Sequence, residues 1–236
     1  PYVVNAAGLY HIDMDDVTKD QRQRGKVMEL ALGFLGGAGA LQSMGRGYGL
    51  ILGDDEAERL RDVWRSLNPW AMAFGRELER AAMSAVLHPG GWFEAGRVAY
   101  GCNGDWLWCR LPSTRLIAYY QPKLEGKMTP WGDEVTTITA SAGGRVKTKH
   151  GDWRRLALWP GMLLENITQA TAADLLRESL LACEDDGVPV VLHVHDEIIA
   201  LGDCREQLHA IMTEQRPWAG GLPLAAESGG GMRYGK

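Results

Sequence analysis

The stretch that most constrains the fold is a charged triplet between two apolar runs, within residues 190–201. The β-branched residues on both sides of His195-Asp196-Glu197 predict two antiparallel strands joined by a tight turn. Burying a carboxylate in a strand is costly unless it is paired, whereas a turn lifts Asp196 and Glu197 out of the sheet. Mg²⁺ usually binds one or two carboxylates together with phosphate oxygens and water. One interpretation of the triplet is therefore a hairpin that presents Asp196 and Glu197 to a cation or a substrate.

Two other interpretations of the triplet stay open. It fits a solvated hairpin corner, which is common for charged turn residues. It also fits a metal site in which His193 and His195 are ligands, because alternate residues of a strand share a face. A metal-dependent hydrolase of that kind needs third and fourth ligands, and the remaining histidines show no matching spacing: His11, His88, His150 and His209.

Composition limits the classes of protein that are possible. The 236 residues suffice for one sizeable core or two small domains, and 45% hydrophobic with 23% charged residues is typical of a globular protein. No apolar run approaches the roughly 20 residues that span a bilayer, so we expect no membrane partner. The scattered cysteines favour a reducing, cytoplasmic location. The net charge of −5 argues against a nonspecific DNA coat but leaves room for a local basic groove.

A capped helix is predicted over residues 18–35. Thr18 and Gln21 form a capping box, and a stripe with a four-residue period follows: Arg22, Lys26, Leu30 and Phe34. The stripe is cationic at its beginning and apolar at its end. Either its two cations extend from a buried face towards solvent, or the helix holds a polyanion at one end and a flat ring at the other.

The middle of the chain changes from helices to strands. Helices are predicted over 54–67 and 70–87, and short strands over 106–110, 116–120 and 135–139. A basic cluster then precedes the next helix: Arg145, Lys147, Lys149, Arg154 and Arg155. Such a cluster is either solvated surface or a contact for the phosphates of a nucleic-acid backbone.

The last quarter is predicted to contain a helix at 165–183, the hairpin at 189–201, a helix at 205–215 and an edge strand at 222–227. Pro223 suits an edge strand because it lacks an N–H group. On the first of these helices Glu165 and Gln169 lie one turn apart. They form either a surface polar pair or a contact to the groove or sugar edge of a duplex.

Taken in order, these motifs resemble family A DNA polymerases, the bacterial polymerase I type, and most closely their phage and prophage members. RQRGKVMELALGF (22–34) is similar to the fingers helix that grips the incoming deoxynucleotide. ENITQATAADLL (165–176) is similar to the helix beside template and primer, and VHDE (194–197) to the palm hairpin with a catalytic aspartate. LPSTR (111–115) and the closing GLPLAAE and RYGK segments also resemble the phage branch.

The resemblance implies a role for each matching residue. Arg22 and Lys26 would contact the triphosphate, Leu30 and Phe34 would line base and sugar, and Tyr2 falls where many members have a phosphate-contacting His. Gln169 and Glu165 would lie at the duplex and His195 at the primer strand. Independently of the resemblance, the basic cluster before the helix at 165–183 predicts that Arg154 and Arg155 contact the DNA backbone. Asp196 would bind metal, with Glu197 near the metal or primer terminus, so that Asp196, Glu197 and Lys26 form the catalytic set.

The resemblance also implies what lies outside the sequence. Phosphoryl transfer of this type uses two Mg²⁺ ions, and the other metal-binding aspartate lies upstream of the fingers, before Tyr2. The chain, which begins at Pro1, is therefore expected to be the C-terminal part of a template-directed DNA polymerase and inactive alone. Its expected partners are primer-template DNA, deoxynucleoside triphosphates and the missing palm and thumb. A noncatalytic DNA-binding relic of a prophage polymerase is the alternative, ahead of the His-dependent hydrolase.

The predicted fold class is α+β, with mainly helical fingers and part of an antiparallel palm sheet that carries the metal hairpin. The predicted division places fingers helices at 1–91, a strand-rich insertion with the basic segment at 92–158, and partial palm at 159–236.

Overall fold

The computed structural model describes residues 1–128, 132–141 and 154–234, of which Lys127 is described by its backbone alone. The chain divides into two compact units, each described by itself below. The first comprises Pro1–Trp108 and Ala118–Glu165, and the second comprises Cys109–Ile117 and Asn166–Lys236. Helices and an antiparallel sheet occur together, so the predicted α+β class is confirmed.

The first unit begins with helices that pack around α2. They are α1 (Tyr2–Tyr10), α2 (Lys19–Leu32), α3 (Ala38–Gly47), α4 (Asp54–Leu67) and α5 (Pro69–Leu87), with a short 3₁₀ helix at Met14–Asp16. Thr18 caps α2 through the predicted capping box, in which its side chain accepts from the Gln21 N–H. Helices α1, α3 and α4 all contact α2. Because Met28, Leu32 and Trp64 are almost fully buried, the burial of α2 and α4 against their neighbours holds this part together.

A six-stranded sheet follows in the order β1-β2-β3-β4-β5-β6. Its strands are β1 (Trp92–Ala95), β2 (Val98–Cys102), β3 (Trp106–Arg110), β4 (Leu116–Met128), β5 (Glu134–Ser141) and β6 (Arg155–Ala157). Helix α5 packs against β1 and β2. Tyr100, Leu107 and Ile138 are fully buried. The β4–β5 register shifts between Tyr120 and Lys123, where Gln121 adopts a positive φ of 49°, so this long strand carries a bulge.

The second unit is built on the C-terminal part of α6 (Pro160–Asp185), whose residues from Asn166 onward belong to it. A two-stranded sheet of β7 (Val190–Val194) and β8 (Glu197–Ala200) follows, then α7 (Arg205–Thr213) and a 3₁₀ turn at Pro217–Ala219. The hydrophobic centre of this unit is formed by four buried side chains, which come in order from α6, the segment before β7, β8 and α7: Cys183, Val188, Ile198 and Ile211. The hairpin is thus held by one inward-facing residue, Ile198, with Val190 and Ala200 packed beside it.

The structure differs from the sequence-based expectation in several elements. Helices α1 and α3 and strands β1, β2 and β6 had no counterpart in the prediction. Helix α3 contains Gly39 and Gly45, which weaken helix propensity. Contacts with α2 and α4 and the complete burial of Leu41 hold α3 in place. Gly45 is required there, because a Cβ would lie 2.8 Å from the Leu50 carbonyl oxygen. Most of the strand residues of 92–158 cluster with the preceding helices in the first unit, whereas the end of β3 and the start of β4 belong to the second. The functional division into fingers, insertion and palm stays a prediction.

The predicted edge strand at 222–227 is wrong, since this segment forms no sheet ladder. Side chains of the preceding segment bond its backbone instead. Gln215 Nε2 donates to the Leu222 carbonyl at 3.1 Å, and His209 Nε2 lies 3.1 Å from the Ala226 carbonyl. A segment whose carbonyls are bonded in this way, and whose Pro223 lacks an N–H, needs no neighbouring strand.

Candidate functional site

The position of α2 depends on a close approach of two backbones. Gly25 lies under α1, where a Cβ would come within 2.1 Å of the Tyr2 carbonyl oxygen and 3.0 Å of the Ala6 nitrogen. Only glycine permits this crossing, because every other residue would place a carbon atom inside the neighbouring backbone. The crossing brings Tyr2, at the start of α1, next to the cationic end of α2.

A buried polar network fixes the other end of the same crossing. Asn5 on α1 donates to Glu29 Oε2 on α2 at 2.6 Å, and Trp64 Nε1 on α4 donates to the same oxygen at 3.1 Å. Asn68 Nδ2 donates to Asn5 Oδ1 at 3.3 Å and to the Trp64 carbonyl at 3.0 Å. Since buried polar groups are costly when they are not paired, this network specifies one arrangement of α1, α2 and α4.

The stripe on α2 lies on the solvent side of the helix. Its buried residues belong to another face: Gly25, Val27, Met28, Ala31 and Leu32. Arg22 is exposed, and the side chain of Leu30 is 37% exposed. Lys26 and Phe34 are half-buried. The stripe thus lies outside the buried face of α2, and the role of its two cations stays a prediction.

Both cations of the stripe lie over aromatic rings. The Arg22 guanidinium carbon is 5.5 Å from the centroid of the Tyr2 ring, and Lys26 Nζ is 5.1 Å from that of Tyr48. These distances are within the range of cation–π attraction. Tyr2 and Tyr48 thus hold the two charges at the surface, where an anionic ligand has access to them.

The apolar end of the stripe extends beyond the helix. Leu30 is on the last full turn, whereas Phe34 follows Gly33, the residue that caps α2. Phe34 is half-buried, and its carbonyl would lie 2.2 Å from a Cβ at Gly161. Gly161, the second residue of α6, therefore permits the start of this helix to pass directly against the Phe34 carbonyl.

The triplet of the second unit forms the predicted turn. Val194 and Glu197 face each other in the β7–β8 register, which leaves His195 and Asp196 as a two-residue turn. His195 has a φ of 53°, and both turn side chains are exposed. A two-residue turn with a positive φ matches the twist of a hairpin. Asp196 is thereby presented to solvent, as the prediction required.

Glu197 is half-buried and bonded from a distant part of the chain. The Tyr234 hydroxyl donates to Glu197 Oε2 at 3.1 Å. This contact orients the carboxylate that follows the turn. Two neighbouring carboxylates of this kind suit Mg²⁺ as oxygen ligands, one exposed at the turn and one held beside it.

The histidine interpretation does not match the geometry of the hairpin. His193 lies in β7 and His195 in the turn, with a left-handed backbone, so the two are not alternate residues of one strand. In the described ranges no three His, Cys, Asp or Glu side chains are grouped so that they could hold a metal ion.

Helix α6 carries Glu165 and Gln169, both exposed and one turn apart. Further along the helix Asp174 is buried and bonded by the LPSTR segment. Ser113 Oγ donates to Asp174 Oδ2, and Arg115 Nε donates to Asp174 Oδ1 at 2.5 Å. Arg115 Nη2 also donates to the Ala170 carbonyl at 2.7 Å. The LPSTR segment is thus fastened to α6 beside Gln169.

The basic cluster is described only in part. Arg145, Lys147 and Lys149 lie outside the described residues, whereas Arg154 is exposed. The Arg155 guanidinium is engaged within the sheet: it donates to Thr139 Oγ1 at 2.8 Å and to the Gln121 carbonyl at 2.7 Å, and it lies 3.3 Å from Glu125. Arg155 therefore stabilises the β4–β6 edge and has little donor capacity left for a phosphate.

Sequence reasoning missed several residues that shape these sites. Tyr48 follows a glycine-rich helix that was not predicted, and Tyr234 lies 37 residues from the carboxylate that it bonds. The Asp174 contacts join positions about 60 residues apart. A signal for the last was present, because an aspartate within an otherwise apolar helix face requires a partner.

Comparison with known proteins indicates the class of protein that the chain is similar to. No protein-family model matches the chain. Its sequence is similar over nearly the whole length to a phage DNA polymerase, so the resemblance predicted from the motifs is confirmed. That relative is the DNA polymerase of Bacillus phage SP02, 36% identical over 233 residues that cover 96% of this chain. The chain spans 35% of the length of the phage enzyme.

A solved structure aligns with the same region. It is the polymerase domain of Pol1 from M. smegmatis in complex with DNA primer-template and dNTP. The alignment has a TM-score of 0.44 and 13% sequence identity, and it covers 90% of this chain and 30% of that chain. Across the described residues, no helix is long and apolar enough to cross a membrane.

Proposed function

We propose that this chain contributes deoxynucleotide binding and one catalytic metal carboxylate to a template-directed DNA polymerase. One observation carries the proposal. A capped helix whose stripe begins with the exposed Arg22 and the half-buried Lys26, and an exposed carboxylate at a hairpin turn, occur in a chain that is 36% identical to a phage DNA polymerase.

The stripe on α2 has the chemistry that a nucleoside triphosphate requires. Arg22 and Lys26 bind the phosphates, and Leu30 and Phe34 line the base and sugar. The distance from Arg22 to Leu30 along the helix is about 12 Å, at 1.5 Å per residue. This length separates a polyanion-binding end from a ring-binding end. Tyr2 and Tyr48 keep the cations in place before the ligand arrives, which lowers the entropy cost of binding.

The hairpin supplies the metal contact. Asp196 is the ligand, and Glu197, oriented by Tyr234, lies beside the metal or primer terminus. Bound Mg²⁺ supplies charge stabilisation at the transferring phosphoryl group and activates the attacking oxygen. Because Asp196 alone cannot hold two ions, a further carboxylate completes the site, and we expect the chain on its own not to extend a primer.

Primer-template DNA is the proposed macromolecular partner. Gln169 and Glu165 on α6 contact the duplex, His195 contacts the primer strand, and Arg154 contacts the backbone. Arg155 contributes to DNA binding only indirectly, because it stabilises the edge of the sheet. The proposed second partner is the remainder of the palm sheet, since β7 and β8 pair only with each other in the described part of the chain and Val191 is 55% exposed.

The test is photo-crosslinking of 8-azido-dATP to the chain, with unlabelled deoxynucleotides as competitors. Replacing Lys26 by Met keeps the alkyl chain and removes the charge. A charge-assisted contact is worth about 1.5–3 kcal/mol, so the dissociation constant should rise roughly tenfold to 150-fold. Arg80→Met, at an exposed cation on α5, is the matched control and should leave labelling unchanged.

Equal labelling of the Lys26→Met and parent chains, with equal thermal stability, would contradict nucleotide binding by the stripe. The metal half of the proposal has its own test in a polymerase that contains this chain. There Asp196→Asn should abolish primer extension and leave nucleotide crosslinking intact. Retained extension would instead favour the noncatalytic DNA-binding alternative for the hairpin.

A further inference from the structure

A group of aromatic rings lies on the solvent side of the sheet in the first unit. The Trp106 and Trp108 ring centroids are 5.6 Å apart with planes inclined by 27°, and Trp106 lies 4.7 Å from the Tyr120 ring. Leu107 and Tyr119, the alternate residues of the same strands, are buried. Since successive strand residues point to opposite faces, the three rings form one surface, called here the aromatic face.

A fourth ring extends this surface towards the edge of the sheet. Trp92 on β1 lies against Gly101 on β2, where a Cβ would come within 2.8 Å of the indole. Gly101 therefore leaves room for the ring to lie flat on the sheet. The Trp92 side chain remains 46% exposed, and that of Tyr120 38%.

These rings are not required to form the core, which lies on the opposite face with Tyr100, Leu107 and Ile138. The solvent face of an antiparallel sheet normally carries polar residues. A contiguous aromatic surface, here with Trp106 and Trp108 half-buried and Trp92 and Tyr120 exposed, is costly to leave in water and marks a site of interaction. A ligand with flat, unsaturated rings suits it best, because aromatic faces stack with such rings whatever their sequence.

Positive charge follows the rings on the same face. Tyr120 pairs with Ser141 and Lys123 pairs with Thr139, so the bulge between them leaves Tyr120 and Lys123 on one side. Lys123 is exposed, and the nearby Glu125 is neutralised by Arg155 at 3.3 Å. Rings beside the exposed Lys123 ammonium fit a polyanion whose bases are unpaired.

We propose that the aromatic face, with Trp92 and Lys123, binds single-stranded nucleic acid by stacking its bases on Trp106, Trp108 and Tyr120. A duplex is excluded as the ligand of this surface, because paired bases do not offer their faces to a side chain. The proposal goes beyond nucleotide incorporation and does not depend on the stripe of α2 or on the hairpin.

The experiment measures binding of a fluorescein-labelled oligodeoxythymidine of about 12 nucleotides to the full chain at low salt. The comparison ligand is an oligomer of equal length and charge with abasic sites in place of bases. Stacking is worth about 1–3 kcal/mol per base. The thymidine oligomer should therefore bind at least about tenfold more tightly than the abasic one, with quenching of tryptophan fluorescence.

Variants of Trp106 test whether the oligomer binds to the aromatic face. Trp106→Leu should weaken oligomer binding about fivefold or more, whereas Trp106→Phe keeps a ring and should retain most of the affinity. Trp70→Leu, at a tryptophan that is 61% exposed on α5, is the matched control and should change nothing. Thermal unfolding of each variant identifies loss of folding. If Trp106→Leu does not fold, Tyr120→Leu and Lys123→Gln test the same surface.

Equal affinity for the thymidine and abasic oligomers, or unchanged affinity in Trp106→Leu, would overturn the proposal. The proposal would also be overturned if the chain self-associates and Trp106→Leu abolishes that self-association while oligomer binding persists. The aromatic face would then bind protein. Lys26→Met should leave oligomer binding intact, which separates a failure here from a failure of the nucleotide site.

Discussion

At the scale of single residues, Glu197 shows how a side chain gains a defined direction from a distant contact. The carboxylate follows an exposed turn, where a glutamate is ordinarily free to adopt several rotamers. The Tyr234 hydroxyl donates to it at 3.1 Å and restricts that freedom. A hydrogen bond that orients a carboxylate at a metal site contributes substantially to metal affinity. The Tyr234 contact would do so at the proposed site.

Tyr234→Phe should therefore weaken metal use and leave folding intact. In a polymerase that contains this chain, the Mg²⁺ concentration for half-maximal primer extension should rise up to about tenfold. The KM for deoxynucleotides should stay unchanged, because the stripe on α2 is not altered. Tyr10→Phe removes a hydroxyl from α1 and is the control. An unchanged Mg²⁺ dependence would show that the hydroxyl only packs at the surface.

Residue types at the site were predictable, and their contacts were not. The four-residue period identified Arg22 and Lys26, and the apolar runs identified Asp196 as a turn residue. The period of a helix and the alternation of a strand are local properties that a sequence displays directly. The rings under the cations come from two other helices, and no local rule connects Lys26 with Tyr48.

At the scale of elements, the α1–α2 crossing determines whether the stripe has its supporting rings. Gly25→Ala would place a carbon 2.1 Å from the Tyr2 carbonyl oxygen, so α1 must move. Overpacking of this kind costs about 1–3 kcal/mol, measurable by urea unfolding. Gly39→Ala is the matched control, since α3 has open space there and alanine favours a helix.

The two glycine variants should move stability in opposite directions. Gly39→Ala should be neutral or stabilise the chain by up to about 1 kcal/mol. Gly25→Ala should also lower nucleotide crosslinking, because Tyr2 would leave Arg22. Equal unfolding midpoints for the two variants would show that α1 is not fixed by this contact.

Element prediction succeeded where pattern and caps agreed. The capping box at Thr18 and the amphipathic run of α4 gave helices close to those observed. It failed for α3, whose glycines lower helix propensity, and for 222–227, where β propensity had no neighbouring strand to pair with. Tertiary contacts decide such segments, and they join residues that are far apart in sequence.

At the scale of the whole molecule, stability depends on pH in part through a partly buried carboxyl group. Burial raises the pKa of the Glu79 carboxyl on α5 above its ordinary value. The folded chain thus holds this proton more tightly than the unfolded chain. The resulting contribution is complete below the ordinary pKa of glutamate and is lost as pH rises through the raised value.

Glu79→Gln removes that dependence. At pH 7 the variant should unfold about 1–3 °C above the parent chain, since the group is only partly buried and its effect is below about 1 kcal/mol. At pH 4 the difference should shrink or reverse. Parallel Tm curves for Glu79→Gln and the parent would contradict the effect of burial.

The β7–β8 hairpin has a consequence for the behaviour of the chain at high concentration. Within the described residues each of its strands pairs with one neighbour, and Val191 and Leu192 are 55% and 45% exposed. Such an edge is a template on which a second chain can add a strand. Repulsion from a net charge of −5 slows this growth but does not cover the edge. A peptide that supplies the missing strand would therefore suppress aggregation more effectively than a change of pH.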